Sequence, residues 1–255
     1  MDEIAEIPEG AVVIYSAHGV SPRVREEAEA RNLRPVDATC PLVTKVHMEA
    51  LRHAAAGREI LLIGHAGHVE VEGTMGEAPD RMRLVGTRMD AETVEVSDPN
   101  RVAYLTQTTL SVDDTRAIID VLRRRFPLIE GPPQEDICYA TQNRQNAVKA
   151  MTPRIDLLLV VGAPNSSNSR RLVEVARGSG PRSVLVEEAR DIDPAWLEGV
   201  GCVGVTAGAS APEELVRSIV ARLRELGGDE PEEVPTVVEN VRFALPAEIV
   251  RSAGG

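Results

Sequence analysis

Cys138-Tyr139-Ala140-Thr141 opens a stretch that closes on Leu157-Leu158-Leu159-Val160-Val161-Gly162. Five aliphatic residues in a row are too few for a helix and too continuous for a half-exposed strand, so 157–161 reads as a strand buried on both faces. A helix-period segment over 142–151 precedes it. The same order occurs upstream: Cys40, a helix-period segment over 43–56, a strand over 60–63, and Gly64, which follows its cysteine at the same spacing as Gly162 follows Cys138. Val102-Ala103-Tyr104-Leu105-Thr106 and Val203-Gly204-Val205-Thr206 stand at nearly equal separations behind Cys40 and Cys138. Each is followed by a helical period, over 113–125 and 213–226. Two copies of one unit of about a hundred residues are therefore present.

Outward from this repeat, residues 11–15 and 184–186 read as further buried strands, and 23–31 and 170–177 as helices. Strand and helix alternate throughout, which predicts α/β units with parallel sheets. Residues 11–31 resemble the second half of a third copy. The predicted division is a partial first unit over 1–38, a second over 39–135, a third over 136–226 and a tail over 227–255, entered through Gly227-Gly228-Asp229-Glu230-Pro231-Glu232-Glu233-Val234-Pro235. A chain that starts midway through a repeat covers its strands poorly, and the expectation is that an N-terminal part precedes Met1.

Composition narrows the function. With only Trp 1, Tyr 3 and Phe 2 in 255 residues, the core must be Val, Leu, Ile and Ala, and stacking on nucleobases is nearly excluded. A net charge of -12 lacks the basic footprint of a nucleic-acid binder. There is no membrane-length apolar run, and the first residues are acidic where a signal peptide is basic, so a cytoplasmic protein without membrane partners is expected. Three cysteines close no disulfide framework, which leaves thiols or metal ligands.

Loops after strand ends are where α/β sheets bind ligands. In Ser16-Ala17-His18-Gly19-Val20-Ser21-Pro22, Ser21 as N-cap and Pro22 at the first helical position account for a helix start but leave His18 unexplained. Gly64-His65-Ala66-Gly67-His68-Val69-Glu70-Val71-Glu72-Gly73-Thr74 reads as a loop whose backbone lies close to a ligand. Its histidines and carboxylates suit either a zinc hydrolase site or a phosphate contact beside a proton donor. Asn165-Ser166-Ser167-Asn168-Ser169 has more hydrogen-bonding groups than one cap needs and suits an oxyanion or diphosphate cradle. Ser210 with Glu213 fits a capping box in Thr206-Ala207-Gly208-Ala209-Ser210, whose counterpart is Thr106-Gln107-Thr108-Thr109-Leu110-Ser111.

Cys40 and Cys138 each stand before a helix, where the thiolate that binds iron or zinc is favoured. Equivalent cysteines of successive repeats around an axis would meet there, and three would leave one iron of a cubane open. Cys202 falls in an apolar strand pattern and reads as a buried structural thiol.

Together, Ser-Ala-His-Gly-Val-Ser at 16–21, Ala-Thr-Cys-Pro at 38–41, the glycine- and histidine-rich segment at 64–74, Thr-Gln-Thr-Thr-Leu-Ser at 106–111, Asp-Ile-Cys-Tyr-Ala-Thr at 136–141, Asn-Ser-Ser-Asn-Ser at 165–169 and Thr-Ala-Gly-Ala-Ser at 206–210 resemble the 4-hydroxy-3-methylbut-2-enyl diphosphate reductase (LytB) family over residues 8–246. The resemblance implies a pseudo-threefold trefoil of α/β units, the first incomplete here, around a 4Fe-4S cluster held by three cysteines. It implies Cys40 and Cys138 as cluster ligands and not Cys202. It implies His18, His68, Ser166, Ser167, Asn168 and Ser210 as diphosphate contacts, Glu70 as proton source, and Thr108 as relay to the substrate hydroxyl.

The implied reaction is the reductive loss of that hydroxyl as water, giving isopentenyl and dimethylallyl diphosphates in the last step of the non-mevalonate isoprenoid route, with ferredoxin or flavodoxin as electron donor. Against an acidic donor, the net charge requires a local basic patch. Family members carry a first cysteine in an Arg-Gly-Phe-Cys-Ala-Gly-like motif, and a further histidine, before the segment matching residue 8. A misplaced start or a fragmented gene is the simplest account of their absence, and the chain as written is expected to be inactive. The competing expectation is a diphosphate-binding remnant without a cluster.

Overall fold

The computed structural model describes residues 4–234, 236–246 and 249–250. The ends of the predicted first unit and tail at 1–3 and 251–255, together with residues 235, 247 and 248, lie outside the described residues. In chain order the elements are β1 (Val12–Tyr15), α1 (Pro22–Ala30), β2 (Arg34–Asp37), α2 (Pro41–Ala55), β3 (Glu59–Ile63), α3 (Val69–Glu77), β4 (Met82–Val85), α4 (Arg88–Thr93), β5 (Val102–Thr106) and α5 (Val112–Arg125). There follow α6 (Tyr139–Met151), β6 (Leu157–Val161), α7 (Ser167–Gly178), β7 (Arg182–Val186), β8 (Val203–Ala207) and α8 (Glu213–Glu225). The chain divides into two compact units, one of Met1–Thr108, Asp114–Asp136 and Asn240–Gly255, the other of Thr109–Asp113 and Ile137–Glu239.

All strand pairings are parallel. The first unit holds a two-stranded sheet, β1-β2, and a three-stranded sheet, β4-β3-β5; the second holds β7-β6-β8. The two larger sheets repeat one topology: the strand after the cysteine-capped helix is central, the next strand lies on one edge and the third on the other. The repeat extends to single bonds. Gly64 and Gly162 donate to Val85 O and Val186 O, while Gln107 and Gly208 donate to Ile63 O and Val161 O.

Buried aliphatics make β6 central. Leu158 and Val160 pack with Val148, Leu172 and Ala176 from α6 and α7, while Leu157, Leu159 and Val161 pack on the opposite face with Val186, Ile192 and Ile219. With helices on both faces, every position can be apolar, which is why no alternation is visible in the sequence. In the other large sheet, Ile60 and Leu62 pack with Val46 and Ala50 of α2 and Val71 of α3.

Several expectations are corrected. The strand at 11–15 is not buried on both faces: Val12 is 57% and Ile14 72% exposed, because the cluster of Tyr15, Ala28 and Leu33 covers one side only. Cys202 is exposed and lies one residue before β8, its N–H held by Asp156 Oδ2 at 2.9 Å. Ser210 caps no helix, since α8 starts after Pro212 and the Ser210–Glu213 box does not form. Ser21 does occupy the N-cap of α1 with Pro22 in the first turn, but its side chain makes no capping bond. The glycine-rich segment at 64–74 is a loop only to His68, after which α3 begins. Gly73 and Gly76 sit inside that helix; a Cβ on Gly73 would make ordinary contact with Gly19 O at 3.4 Å, whereas one on Gly76 would collide with Ser21.

Candidate active site

In the first unit, the end of β5 and the start of α3 converge on Glu70. Its side chain is only 2% exposed. The Thr108 N–H donates to Glu70 Oε1 at 2.6 Å and the Thr108 hydroxyl to Oε2 at 3.0 Å. Burial pushes the carboxyl up to about 7; the two bonds from Thr108 pull it down in part, and the nearby Asp136 charge pushes it up further. Glu70 therefore exchanges a proton near neutrality, the condition a general acid requires.

His68 is the N-cap of α3, and its Nδ1 accepts the Glu70 N–H at 3.2 Å. That bond places the ring proton of the neutral imidazole on Nε2. The His18 ring meets the His68 ring edge-on, with centroids 5.6 Å apart and planes at 80°. Surrounding protein lowers the proton affinity of His18. Its loop is tied to the cysteine as well, since Cys40 N–H donates to Ala17 O at 3.0 Å. His18, His68, Glu70 and Thr108 are thus linked in one chain of contacts.

The motifs assign no role to Asp136, Lys45 or Gln107, yet all three shape the site. The Asp136 carboxylate takes the Thr106 N–H on Oδ2 at 2.9 Å and Lys45 Nζ on Oδ1 at 3.0 Å, so carboxylates hold both Thr106 and Thr108 at the end of β5. Burial raises the Asp136 carboxyl to about 6, with the Thr106 and Lys45 bonds opposing. Gln107, 2% exposed, accepts the His65 N–H at 3.0 Å and so closes the loop after β3. Asp136 stands inside the motif quoted above, but a lone acid before a cysteine carries no spacing from which burial can be read.

In the second unit, Ser166 is the N-cap of α7. It accepts the Ser169 hydroxyl at 3.0 Å and the Ser169 N–H at 3.4 Å. Asn168 Oδ1 accepts the Ala209 N–H at 3.0 Å, which brings the loop carrying Ser210 to the start of α7; the Thr109 hydroxyl bonds Ser167 Oγ at 3.1 Å. Gly162 and Gly208 permit this closeness, for a Cβ on either would collide with Ser169 Oγ. Ser166, Ser167 and Asn168 are half-buried and Ser210 is exposed, so the four line an accessible helix N-terminus suited to an anion. A groove of about 860 Å³ elsewhere in this unit, lined by Met151, Cys202, Leu223 and Val234, contains none of them.

Cys40 and Cys138 are half-buried thiols at the N-caps of α2 and α6, neither used as a capping acceptor. Their matched positions suit cluster ligands, but two thiols do not make a three-thiolate set. Among the described residues no group of three or more His, Cys, Asp or Glu is placed to hold a metal ion. The residues present therefore do not by themselves fit the cluster. The zinc alternative, His65, His68 and Glu70 or Glu72, fails on the same ground, and Glu70 is already committed to Thr108.

Among the described residues no helix is long and apolar enough to cross a membrane. The 4-hydroxy-3-methylbut-2-enyl diphosphate reductase of Rhodococcus opacus is 58% identical over 250 residues, which are 98% of this chain and 74% of that protein. The Bordetella pertussis protein of the same name is 57% identical over 251 residues, 98% of this chain and 77% of its own. The solved structure of the E-1-hydroxy-2-methyl-but-2-enyl-4-diphosphate reductase from Plasmodium falciparum superposes with a TM-score of 0.93 at 36% identity, covering 100% of this chain and 80% of that one. With the family model described as LytB protein matching residues 1–224 as well, the chain belongs to the LytB family of 4-hydroxy-3-methylbut-2-enyl diphosphate reductases.

Proposed function

We propose that the site serves the reductive dehydroxylation of (E)-4-hydroxy-3-methylbut-2-enyl diphosphate to isopentenyl and dimethylallyl diphosphates. The reaction takes up two electrons and two protons and releases the hydroxyl as water. The observation that carries the reading is the Glu70–Thr108 pair: a buried carboxyl with proton affinity near neutrality, locked to a hydroxyl and set beside two histidines. Glu70 holds the proton for the leaving oxygen, and the Thr108 hydroxyl carries it to the substrate.

By the family resemblance, His18, His68, Ser166, Ser167, Asn168 and Ser210 are the diphosphate contacts; the last four stand among short hydrogen-bonding side chains at the N-terminus of α7, which favours negative charge. Cys40 and Cys138 are the ligands this chain offers to a 4Fe-4S cluster, and ferredoxin or flavodoxin is the electron donor. The division into units at 1–38, 39–135 and 136–226, with one parallel sheet in each, belongs to the same reading, as does a cytoplasmic location.

A second reading is favoured by the ligand count: with two motif cysteines, this polypeptide alone binds the diphosphate but does not assemble the cluster or turn over. Two measurements decide. Calorimetric titration with inorganic pyrophosphate is expected to show binding that His18→Ala and Asn168→Ala each weaken by about tenfold; affinities untouched by both changes overturn the anion site. Anaerobic reconstitution followed by iron analysis is expected to give substoichiometric cluster. A full complement of iron, with the visible spectrum of a 4Fe-4S centre and turnover, removes the second reading.

A further inference from the structure

His47 of α2 and Glu77 in the last turn of α3 take no part in the chemistry above. His47 is 4% exposed, and its Nδ1 stands 2.8 Å from Glu77 Oε1. Burial lowers the His47 proton affinity; Glu77 and Asp37 oppose this and Arg25 adds to it. The ring is therefore neutral at neutral pH, with the Nδ1 proton donated to Glu77. Nε2 is buried and without a partner.

That unpartnered edge of the ring faces the turn carrying His18. A Cβ on Gly19 would lie 3.0 Å from His47 Cε1, 3.3 Å from its Nε2 and 3.1 Å from Val43 Cγ1. Gly19 has φ of 76°, and its N–H closes the turn on Ser16 O at 3.0 Å. The other side of the turn rests on α3 through Gly73 and Gly76. The same helix carries His68 and Glu70 at its start and Glu77 at its end. One buried pair thus joins α2, α3 and the underside of the His18 turn.

We propose that the His47–Glu77 pair is a positioning device: by tying the end of α3 to α2 beneath the turn at 16–19, it sets where His18 stands against His68 and hence how a diphosphate is received. The consequence for binding rests on the anion-binding reading of the two histidines; the placement itself does not. His47→Leu leaves the Glu77 carboxylate buried without its donor, whereas Glu77→Gln keeps an acceptor for Nδ1–H in nearly the same shape. Glu77→Ala breaks the link from the other helix and leaves the ring beneath Gly19.

The readout is the nuclear Overhauser contact between the His18 and His68 rings, with the His18 ring shifts. Both are expected to change in His47→Leu and Glu77→Ala and to survive in Glu77→Gln. If His47→Leu fails to fold, Glu77→Ala decides alone. A lower melting temperature with the ring contact and His18 shifts intact in Glu77→Ala marks a merely structural pair and overturns the proposal. In parallel, the affinity for inorganic pyrophosphate is expected to fall about tenfold in His47→Leu and to stay within about twofold in Glu77→Gln. Pyrophosphate binding that ignores His18→Ala overturns the anion-site reading, while the ring contact still decides the positioning claim.

Discussion

Replacing Glu70 by Gln should change how the stability of the protein depends on pH, and the size of the change follows from the burial of one carboxyl. In the folded chain the group titrates near 7, against 4.5 for an unburied glutamate. Because the folded value is the higher one, the native state holds the proton more tightly than the unfolded chain does. The stabilisation is complete below about pH 4.5 and is lost as pH rises through about 7. Integrated from about pH 5 to about pH 8, this one group removes about 2.5 kcal/mol. Glutamine mimics the protonated acid in shape and cannot ionise, so the variant escapes that loss. Urea unfolding of both proteins at the two pH values measures it: the wild type should lose about 2.5 kcal/mol more than Glu70→Gln on going to the higher pH. Parallel losses in the two proteins would refute the reasoning, because they would mean that Glu70 titrates near its free value and holds no proton at neutrality.

Thr108→Val deletes the hydroxyl bond to Glu70 Oε2 and keeps the backbone one; with about 1.5 kcal/mol for a hydrogen bond to a charged group, the Glu70 titration midpoint, followed by carboxyl carbon NMR, should rise by about one unit. A fall in that midpoint contradicts the assignment. His68→Ala removes the cap of α3 and should lower stability by about 1 kcal/mol as well as weaken pyrophosphate binding, whereas His68→Asn should restore the cap and not the binding; recovery of both by Asn would mean that the ring contacts no anion. Gly208→Ala forces a Cβ onto Ser169 and should cost about 1–3 kcal/mol, most of it regained in the double variant with Ser169→Ala. Additive effects in that cycle would show that the close approach is not what demands glycine.

How much is legible in the sequence depends on the physical signal each element leaves. The central strands β3 and β6 are legible because strands covered on both faces must be continuously apolar. The edge strand β2, with its Pro35 and mostly exposed residues, is not, because backbone pairing to a neighbour defines it and the side chains need only tolerate it; β4 is four residues long and buries only Met82 and Val85 at its ends, which leaves no apolar run to read. Helix α3 hides in a glycine-rich segment because Gly73 and Gly76 weaken its local preference; at Gly76 the cost is offset by the close approach of Ser21, which lies far upstream in the chain. A cap for α7 within 165–169 is legible, since a cap is a local hydrogen bond, though which residue serves, Ser166, is not; the expected Ser210–Glu213 box is displaced by Pro212.

The sequence by itself determined the repeat, the parallel α/β class, the family and the motif residues His18, His68, Glu70, Thr108, Cys40 and Cys138, because spacing and residue chemistry are properties of the chain. Tertiary structure decided the rest. That Glu70 is sealed under Thr108 and titrates near neutrality, that Asp136 and Lys45 hold the end of β5, that Cys202 is exposed, and that His47 reaches Glu77 beneath the His18 turn all depend on burial and distance between segments far apart in sequence. Proton affinity follows the surroundings of a group, and those surroundings exist only once the helices and sheets have packed.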